Sequence, residues 1–193
     1  MEILSKILGN SARVKIMRLF LQSRGKSFAK KDVVKRSRVD SGSAGRELRL
    51  LHSVGFIKKH AAGWVFNPAF KYGDELENLL INTDVLDRKE VEETFRKAGR
   101  IKLLVVAGVF IKSDDSRADI LIVGDKIKQK KVEEGIRKLE AEIGAELSYV
   151  VFDTKEFVYR LNMYDKLVRD ILDFPHEIIL SGKGLSTREL NLA

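Results

Sequence analysis

The most informative stretch of the sequence is residues 29–66, AKKDVVKRSRVDSGSAGRELRLLHSVGFIKKHAAGWVF. Its apolar periodicity predicts a short helix over about 29–37 and a second helix over about 41–53. The residues between them, 38–40, interrupt the pattern, and Asp40 or Ser41 can cap the second helix. A glycine then follows as a helix stop. Two helices joined by a tight turn are therefore expected here.

A β-hairpin is expected directly after the second helix. The apolar and basic runs at 56–59 and 64–66 are separated by a compact turn that contains glycine, which is typical of a hairpin. An amphipathic helix capped by Ser11 precedes the stretch at about 11–23, and residues 27–28 could add a minimal strand. The order helix, helix, turn, helix, hairpin predicts an α+β winged helix-turn-helix domain over 1–70.

The charge is distributed unevenly along the 193 residues, whose net charge is +8. Residues 1–73 contain 16 Lys and Arg against 4 Asp and Glu, whereas residues 74–193 contain 20 against 24. A basic first part joined to a mildly acidic second part predicts two domains, the first of which faces a polyanion.

The composition also excludes several classes of protein and site. Because the chain has no cysteine, it cannot contain disulfides, thiolate zinc sites, iron–sulfur clusters or a cysteine nucleophile. The longest apolar run, 101–111, is too short to cross a bilayer, and the first residues lack a signal-peptide pattern. We therefore expect a cytoplasmic protein that has no membrane partner.

The second helix of the stretch has the composition of an element that enters a DNA major groove. Such a helix needs small and hydrogen-bonding side chains on its outer side. Glycines at 42 and 45 cost about 1 kcal/mol each in helix propensity, which is more easily understood if side-chain bulk must be avoided. Arg46 is placed to contact guanine or a phosphate. The candidate DNA-binding residues are Lys30, Lys31, Lys35, Arg36, Ser41, Ser43, Arg46, Arg49, Lys58 and Lys59.

Each group of these residues has an expected role. The reading helix, with Arg46 and Arg49, would carry sequence readout. The lysines of the preceding helix and of the hairpin would neutralise phosphates, as would Arg36. Three alternatives stay open: an RNA partner, a fold used only for protein contacts, and an ordinary solvated basic face.

The second part of the chain alternates strands with helices. Residues 71–98 are expected to form a helical linker, and residues 99–193 an α/β domain with a mixed sheet. The expected strands of that domain lie at about 101–110, 118–123, 147–152 and 177–180, and the expected helices at about 132–143, 157–161 and 167–172.

Both parts resemble known families. Residues 1–70 resemble the winged-helix domains of prokaryotic transcriptional regulators of the ArsR/MarR-like type. Residues 100–181 resemble the minimal nucleotidyltransferase fold that is sometimes fused to such domains. The second resemblance depends on three motifs. The first is Ala107-Gly108-Val109 at the end of a strand, and the second is the strand that starts at Asp119, separated from Val109 by nine residues. The third is the sequence ELSYVVFDTKEF at 146–157.

The nucleotidyltransferase resemblance lacks the residues that activity needs. Nucleotidyl transfer uses two magnesium ions about 3.5–4 Å apart, held by carboxylates. The family alternates two acids on one strand, but here Leu121 follows Asp119. Val109 replaces the small residue after the glycine, and the third-strand acid has no counterpart beyond Glu146 at the edge. The prediction is a degenerate, inactive domain with no catalytic residue, metal or cofactor.

Together these features predict a DNA-binding transcriptional regulator. Because one winged helix buries a limited surface, a homodimer on duplex DNA is expected. The C-terminal domain would supply dimerisation, sensing of a small-molecule or protein effector, or partner contact. One alternative is a metal-dependent nucleotidyltransferase with Asp115 and Asp119 as metal ligands. Another is a non-catalytic component of a toxin–antitoxin pair.

Overall fold

The structure, a computed structural model, describes residues 3–81, 88–113, 116–182 and 185. It is a mixed α and β protein with two sheets, as expected at that level. The chain divides into two packing units, Met1–Leu86 with Arg137–Glu146, and Asp87–Ile136 with Leu147–Ala193. This partition by packing differs from the predicted limits 1–70, 71–98 and 99–193, which stay a prediction.

The first unit begins with helices and continues with a hairpin. The helices and hairpin expected between residues 11 and 66 are confirmed, whereas the short first helix was not foreseen. The helix Ser11–Gln22 was expected to be capped by Ser11, but its cap is Asn10, whose Oδ1 accepts the Ala12 N–H at 2.8 Å. The elements are α1 (Ile3–Ile7), α2 (Ser11–Gln22), α3 (Lys30–Ser37), α4 (Ser41–Ser53), β1 (Ile57–His60), β2 (Gly63–Phe66) and α5 (Gly73–Leu80).

The core of this unit is formed by apolar faces of α2, α3, α4 and the hairpin. On α4 the apolar residues Ala44, Leu48 and Leu51 are all buried. The neighbouring Leu50 is apolar as well, but it is exposed. The reason is geometric, because adjacent residues are about 100° apart around a helix, which turns Leu50 away from the side of Leu51.

Two backbone features join the elements of the first unit. Arg38 adopts a left-handed conformation with φ 51°, which ends α3 and starts the turn into α4. Phe28 pairs with Trp64 through two backbone hydrogen bonds of 2.8 and 2.9 Å, so the expected minimal strand is confirmed as an isolated bridge. Gly63 permits this pairing, because a Cβ there would collide with the Phe28 carbonyl.

The second unit is built on a sheet of strand order β5-β4-β3-β6. The β4 and β5 strands are parallel and the other neighbours are antiparallel, so the expected mixed sheet is confirmed. Its elements are α6 (Arg88–Phe95), β3 (Arg100–Val106), β4 (Ile120–Asp125), α7 (Gln129–Ile143), β5 (Tyr149–Phe152), α8 (Thr154–Asn162), α9 (Lys166–Asp173) and β6 (Glu177–Ser181). The residues of α7 from Arg137 onward belong to the first unit.

The first strand of this sheet is shorter than expected. It ends at Val106, and a 3-10 turn at Gly108–Phe110 replaces the expected continuation to residue 110. Gly108 has φ 52°, a left-handed conformation that ends the extended run. None of the helices within the described ranges combines the length and the hydropathy that a bilayer crossing needs.

Candidate nucleic-acid interface

The outer side of α4 carries the residues that were expected to contact bases. Asp40 starts the helix by accepting the Ser43 N–H at 2.9 Å. One turn later the Arg46 guanidinium donates from Nη2 to the Ser43 hydroxyl at 2.8 Å. Ser41, Arg46 and Arg49 are exposed and Ser43 is half-buried. The start of α4 therefore presents an arginine oriented by a short polar side chain.

The cap at Asp40 is electrostatically favourable. Hydrogen bonds from the hydroxyl and the backbone N–H of Ser43 hold the pKa of Asp40 below its usual value. A lowered pKa means that the stabilisation by this carboxylate is present above the pKa of the unfolded chain. It is lost as the pH falls through the lower folded-state pKa. The helix thus keeps its cap charged at neutral pH.

Lys30 of α3 lies against α4 beside Arg49. A Cβ at Gly45 would stand 3.2 Å from Lys30 Nζ and 3.7 Å from an Arg49 Nη1 atom. The absence of a side chain at Gly45 therefore leaves room for the end of the Lys30 side chain against α4. Gly45 thus lies close to two cationic groups, Lys30 and Arg49, a proximity that the sequence did not indicate.

The other expected phosphate ligands of α3 differ in their surroundings. Lys31 and Lys35 are exposed on the helix surface. The Arg36 guanidinium is also exposed, but it pairs with Glu146 at 2.7 Å and lies 5.3 Å from the centroid of the Phe28 ring. The carboxylate of Glu146 therefore offsets part of the charge of Arg36.

The hairpin places two exposed lysines, Lys58 and Lys59, on β1. Lys59 Nζ is 5.9 Å from the centroid of the Trp64 ring on β2. The same indole ring and the His52 imidazole at the end of α4 pack edge to face, with their centroids 5.0 Å apart. Trp64 thus links the hairpin to α4. Sequence reasoning missed this role, although Trp64 is the one tryptophan of the chain.

Two of the four acids of residues 1–73, Asp40 and Glu47, have structural roles. Glu47 is only 5% exposed, and its carboxylate accepts from Asn10 at 2.9 Å and from Arg13 at 2.8 Å. Glu47 follows the inward Ala44 by three residues, and residues three apart lie on the same side of a helix. Its burial could therefore have been predicted from the sequence. With Glu47 buried and Asp40 acting as a cap, the outer surface of α4 is dominated by cations.

Backbone N–H groups hold the carboxylate of Asp119, a residue on which the nucleotidyltransferase hypothesis depends. One carboxylate oxygen of Asp119 accepts the Val109 N–H at 2.8 Å, and the other accepts the Ser148 N–H at 2.8 Å. A Cβ at Gly108 would collide with this carboxylate. Leu121, at the place of the second acid, is fully buried. Asp119 therefore acts as a cross-link between a turn and the residue before β5.

Of the two candidate metal ligands, Asp115 lies outside the described residues, as does its neighbour Asp114. Across the ranges that the structure does describe, no group of three His, Asp or Glu side chains is placed to hold a metal ion.

Replacing Asp119 with asparagine tests its structural role. The side-chain amide can accept only one of the two N–H groups, so we expect a loss of about 1–3 kcal/mol in the free energy of unfolding. Urea denaturation of the full chain measures this loss of unfolding free energy. A variant that keeps its stability but loses a thermal shift induced by magnesium and ATP would favour the nucleotidyltransferase alternative instead.

No protein-family model matches the chain, and neither a curated protein nor a solved structure matches it.

Proposed function

We propose that this protein is a DNA-binding transcriptional regulator whose N-terminal winged helix reads duplex DNA through α4. The observation that carries the proposal is the outer side of α4, where Arg46 and Arg49 are exposed while Glu47 is buried. A helix with small residues near its start and arginines one and two turns later suits the width of a major groove. An exposed lysine cluster on the preceding helix suits phosphates beside that groove.

Each cationic element has a role in this proposal. Arg46 and Arg49 read bases, with Ser41 and Ser43 adding hydrogen bonds at the start of the helix. Lys30, Lys31, Lys35, Lys58 and Lys59 contact phosphates, and Arg36 contributes less because Glu146 already pairs with it. The hairpin lies over a flanking groove. Binding is expected to weaken steeply with salt, because each phosphate contact releases counterions.

The C-terminal part has a supporting role in the same proposal. It resembles a nucleotidyltransferase domain that has lost its acids, and the two N–H groups bound to Asp119 favour a structural use of that carboxylate. The part then serves dimerisation, effector sensing or partner contact. A single winged helix buries only about 600–1,000 Å² on DNA, so a homodimer on a two-fold operator gives useful specificity. Such a regulator works in the cytoplasm.

The experiment that tests this function is selection of random duplex DNA by the purified full-length protein. We expect enrichment of one motif with two half-sites about 10 base pairs apart. Failure to enrich any sequence, with equal affinity for all duplexes, would contradict the proposal.

The phosphate contact of Lys31 can be tested separately. Lys31→Ala is expected to weaken binding to operator and random DNA equally. It should also reduce the slope of log affinity against log salt by about 0.9, because one phosphate contact is lost. Fluorescence anisotropy over a salt series measures both effects. Lys71→Ala is the matched control, since Lys71 is exposed but follows the hairpin and lies beside Tyr72. An equal change of slope in both variants would point to general charge rather than a contact.

A further inference from the structure

An exposed apolar surface lies on α8 and on the turn that follows it. The exposed fractions of Tyr159, Met163 and Tyr164 are 65%, 64% and 77%, and Val158 of the same helix is also partly exposed. We call these four residues the tyrosine surface. Contiguous exposed apolar groups mark interaction sites, and aromatic and methionine side chains are enriched in protein interfaces.

The backbone at Tyr164 supports an interaction role. This residue has φ 54°, the left-handed conformation that glycine usually supplies after a helix. A non-glycine residue there costs roughly 1–2 kcal/mol. The ring does not gain burial in return, because it stays 77% exposed beside the Arg169 guanidinium, whose carbon is 5.8 Å from the ring centroid. Packing within the described part of this unit therefore does not explain why a strained position carries an aromatic residue.

The charges around the surface are arranged in a way that suits pairing with a second copy of the chain. Asp153 caps α8 by accepting the Glu156 N–H at 2.8 Å, and Lys155 is exposed near it. Lys166 is exposed at the start of α9 and follows Tyr164 by two residues in the chain. Other charges of α8 and α9 pair locally, as Glu156–Arg160, Asp165–Arg160 and Asp173–Arg169.

We propose that the tyrosine surface is the contact between two copies of this chain, with their α8 helices antiparallel around a two-fold axis near Tyr159. This arrangement places Asp153 of each copy towards Lys166 of the other, and Lys155 towards the Tyr164 ring, a cation–π pair. A parallel arrangement would bring equal charges together. The opposite charges at the two ends of one surface favour a second copy over an unrelated partner. The pairing does not depend on DNA binding.

The test is the mass of the full-length protein by light scattering or sedimentation over a concentration series without DNA. The wild type is expected to approach twice its chain mass of 21.9 kDa. Tyr164→Gly removes the ring and relieves the left-handed strain, so the fold is kept. Lys166→Glu places two carboxylates opposite each other. Each variant is expected to raise the dimer dissociation constant at least about tenfold, because the change occurs twice in a dimer.

Ile7→Ser is the matched control, since Ile7 is 71% exposed on α1 of the other unit. It should dimerise as the wild type does, and thermal unfolding should show that all variants fold. The proposal is overturned if the wild type stays at its chain mass at every concentration. It is also overturned if Tyr164→Gly and Lys166→Glu both dimerise as the wild type does, whatever the effect of Ile7→Ser. Because no DNA is present, this failure is separate from failure of the DNA-selection experiment.

Discussion

Replacing Arg18 with methionine is expected to lower the free energy of unfolding by about 2–5 kcal/mol. The Arg18 side chain on α2 is 1% exposed. Its Nε donates to the Leu80 carbonyl at 2.9 Å, and its Nη1 donates to the Glu142 carbonyl at 3.0 Å. Without the guanidinium both carbonyls lose a donor, and an unsatisfied buried group costs about 1–3 kcal/mol. The Leu80 hydrogen bond is buried and the Glu142 hydrogen bond is partly buried, so the second loss is expected to be the smaller one.

The position of the two carbonyls explains how a charged group is tolerated there. Leu80 is the last residue of α5, and Glu142 lies in the last turn of α7, both within the first unit. The final carbonyls of a helix have no partner within the helix and carry partial negative charge. One guanidinium therefore satisfies the ends of two helices. Methionine retains an apolar chain of similar reach, so the expected loss arises from polar groups rather than from a cavity.

Urea denaturation followed by circular dichroism measures this effect. Lys15→Met is the matched control, because Lys15 is on the same helix and pairs with Glu142 at 2.7 Å, but its side chain is 21% exposed. A partly exposed ion pair contributes only about 0–1 kcal/mol. Equal losses in the two variants would show that Arg18 acts as an ordinary charge and not as a shared helix cap.

The contacts of Arg18 could not be predicted from the sequence, whereas much of the surrounding fold could. The helices α2 to α4 and the hairpin follow from local periodicity, caps and glycine positions, all of which lie within a few residues of one another. The partners of Arg18 are 62 and 124 residues away. A sequence pattern contains no information on which distant carbonyl meets a given arginine, so Arg18 could not be distinguished from the surface cations around it.

The residues of the candidate interface likewise include some features that the sequence could predict and others that it could not. Exposure of Arg46, Arg49 and the lysines could be inferred, because these residues fall outside the apolar stripes of their helices. The pairing of Arg36 with Glu146 could not, since it joins residues from distant parts of the chain. The use of both Asp119 oxygens by backbone N–H groups was equally hidden, because it depends on a turn that ends β3 earlier than its apolar run suggests.

Replacing Arg46 with alanine is expected to weaken binding to the selected operator by about 1–3 kcal/mol, with little change for random DNA. Arg46 is exposed on α4, and the Ser43 hydroxyl already accepts one of its N–H groups at 2.8 Å. This contact orients the side chain before DNA arrives, which lowers the entropy lost when it contacts a base. A base contact is lost only on the operator, whereas a phosphate contact would be lost on every duplex.

Competition between operator and random duplex at one salt concentration measures the ratio of the two affinities. Arg24→Ala removes the same charge from the first unit, but Arg24 pairs with Glu77 at 2.6 Å and with Asp74 at 3.3 Å, so it serves as the control. The Arg24 variant should keep the operator preference. If Arg46→Ala keeps it as well, α4 does not read the sequence through Arg46, and a loss of affinity equal on both duplexes would make Arg46 a phosphate contact like Lys31.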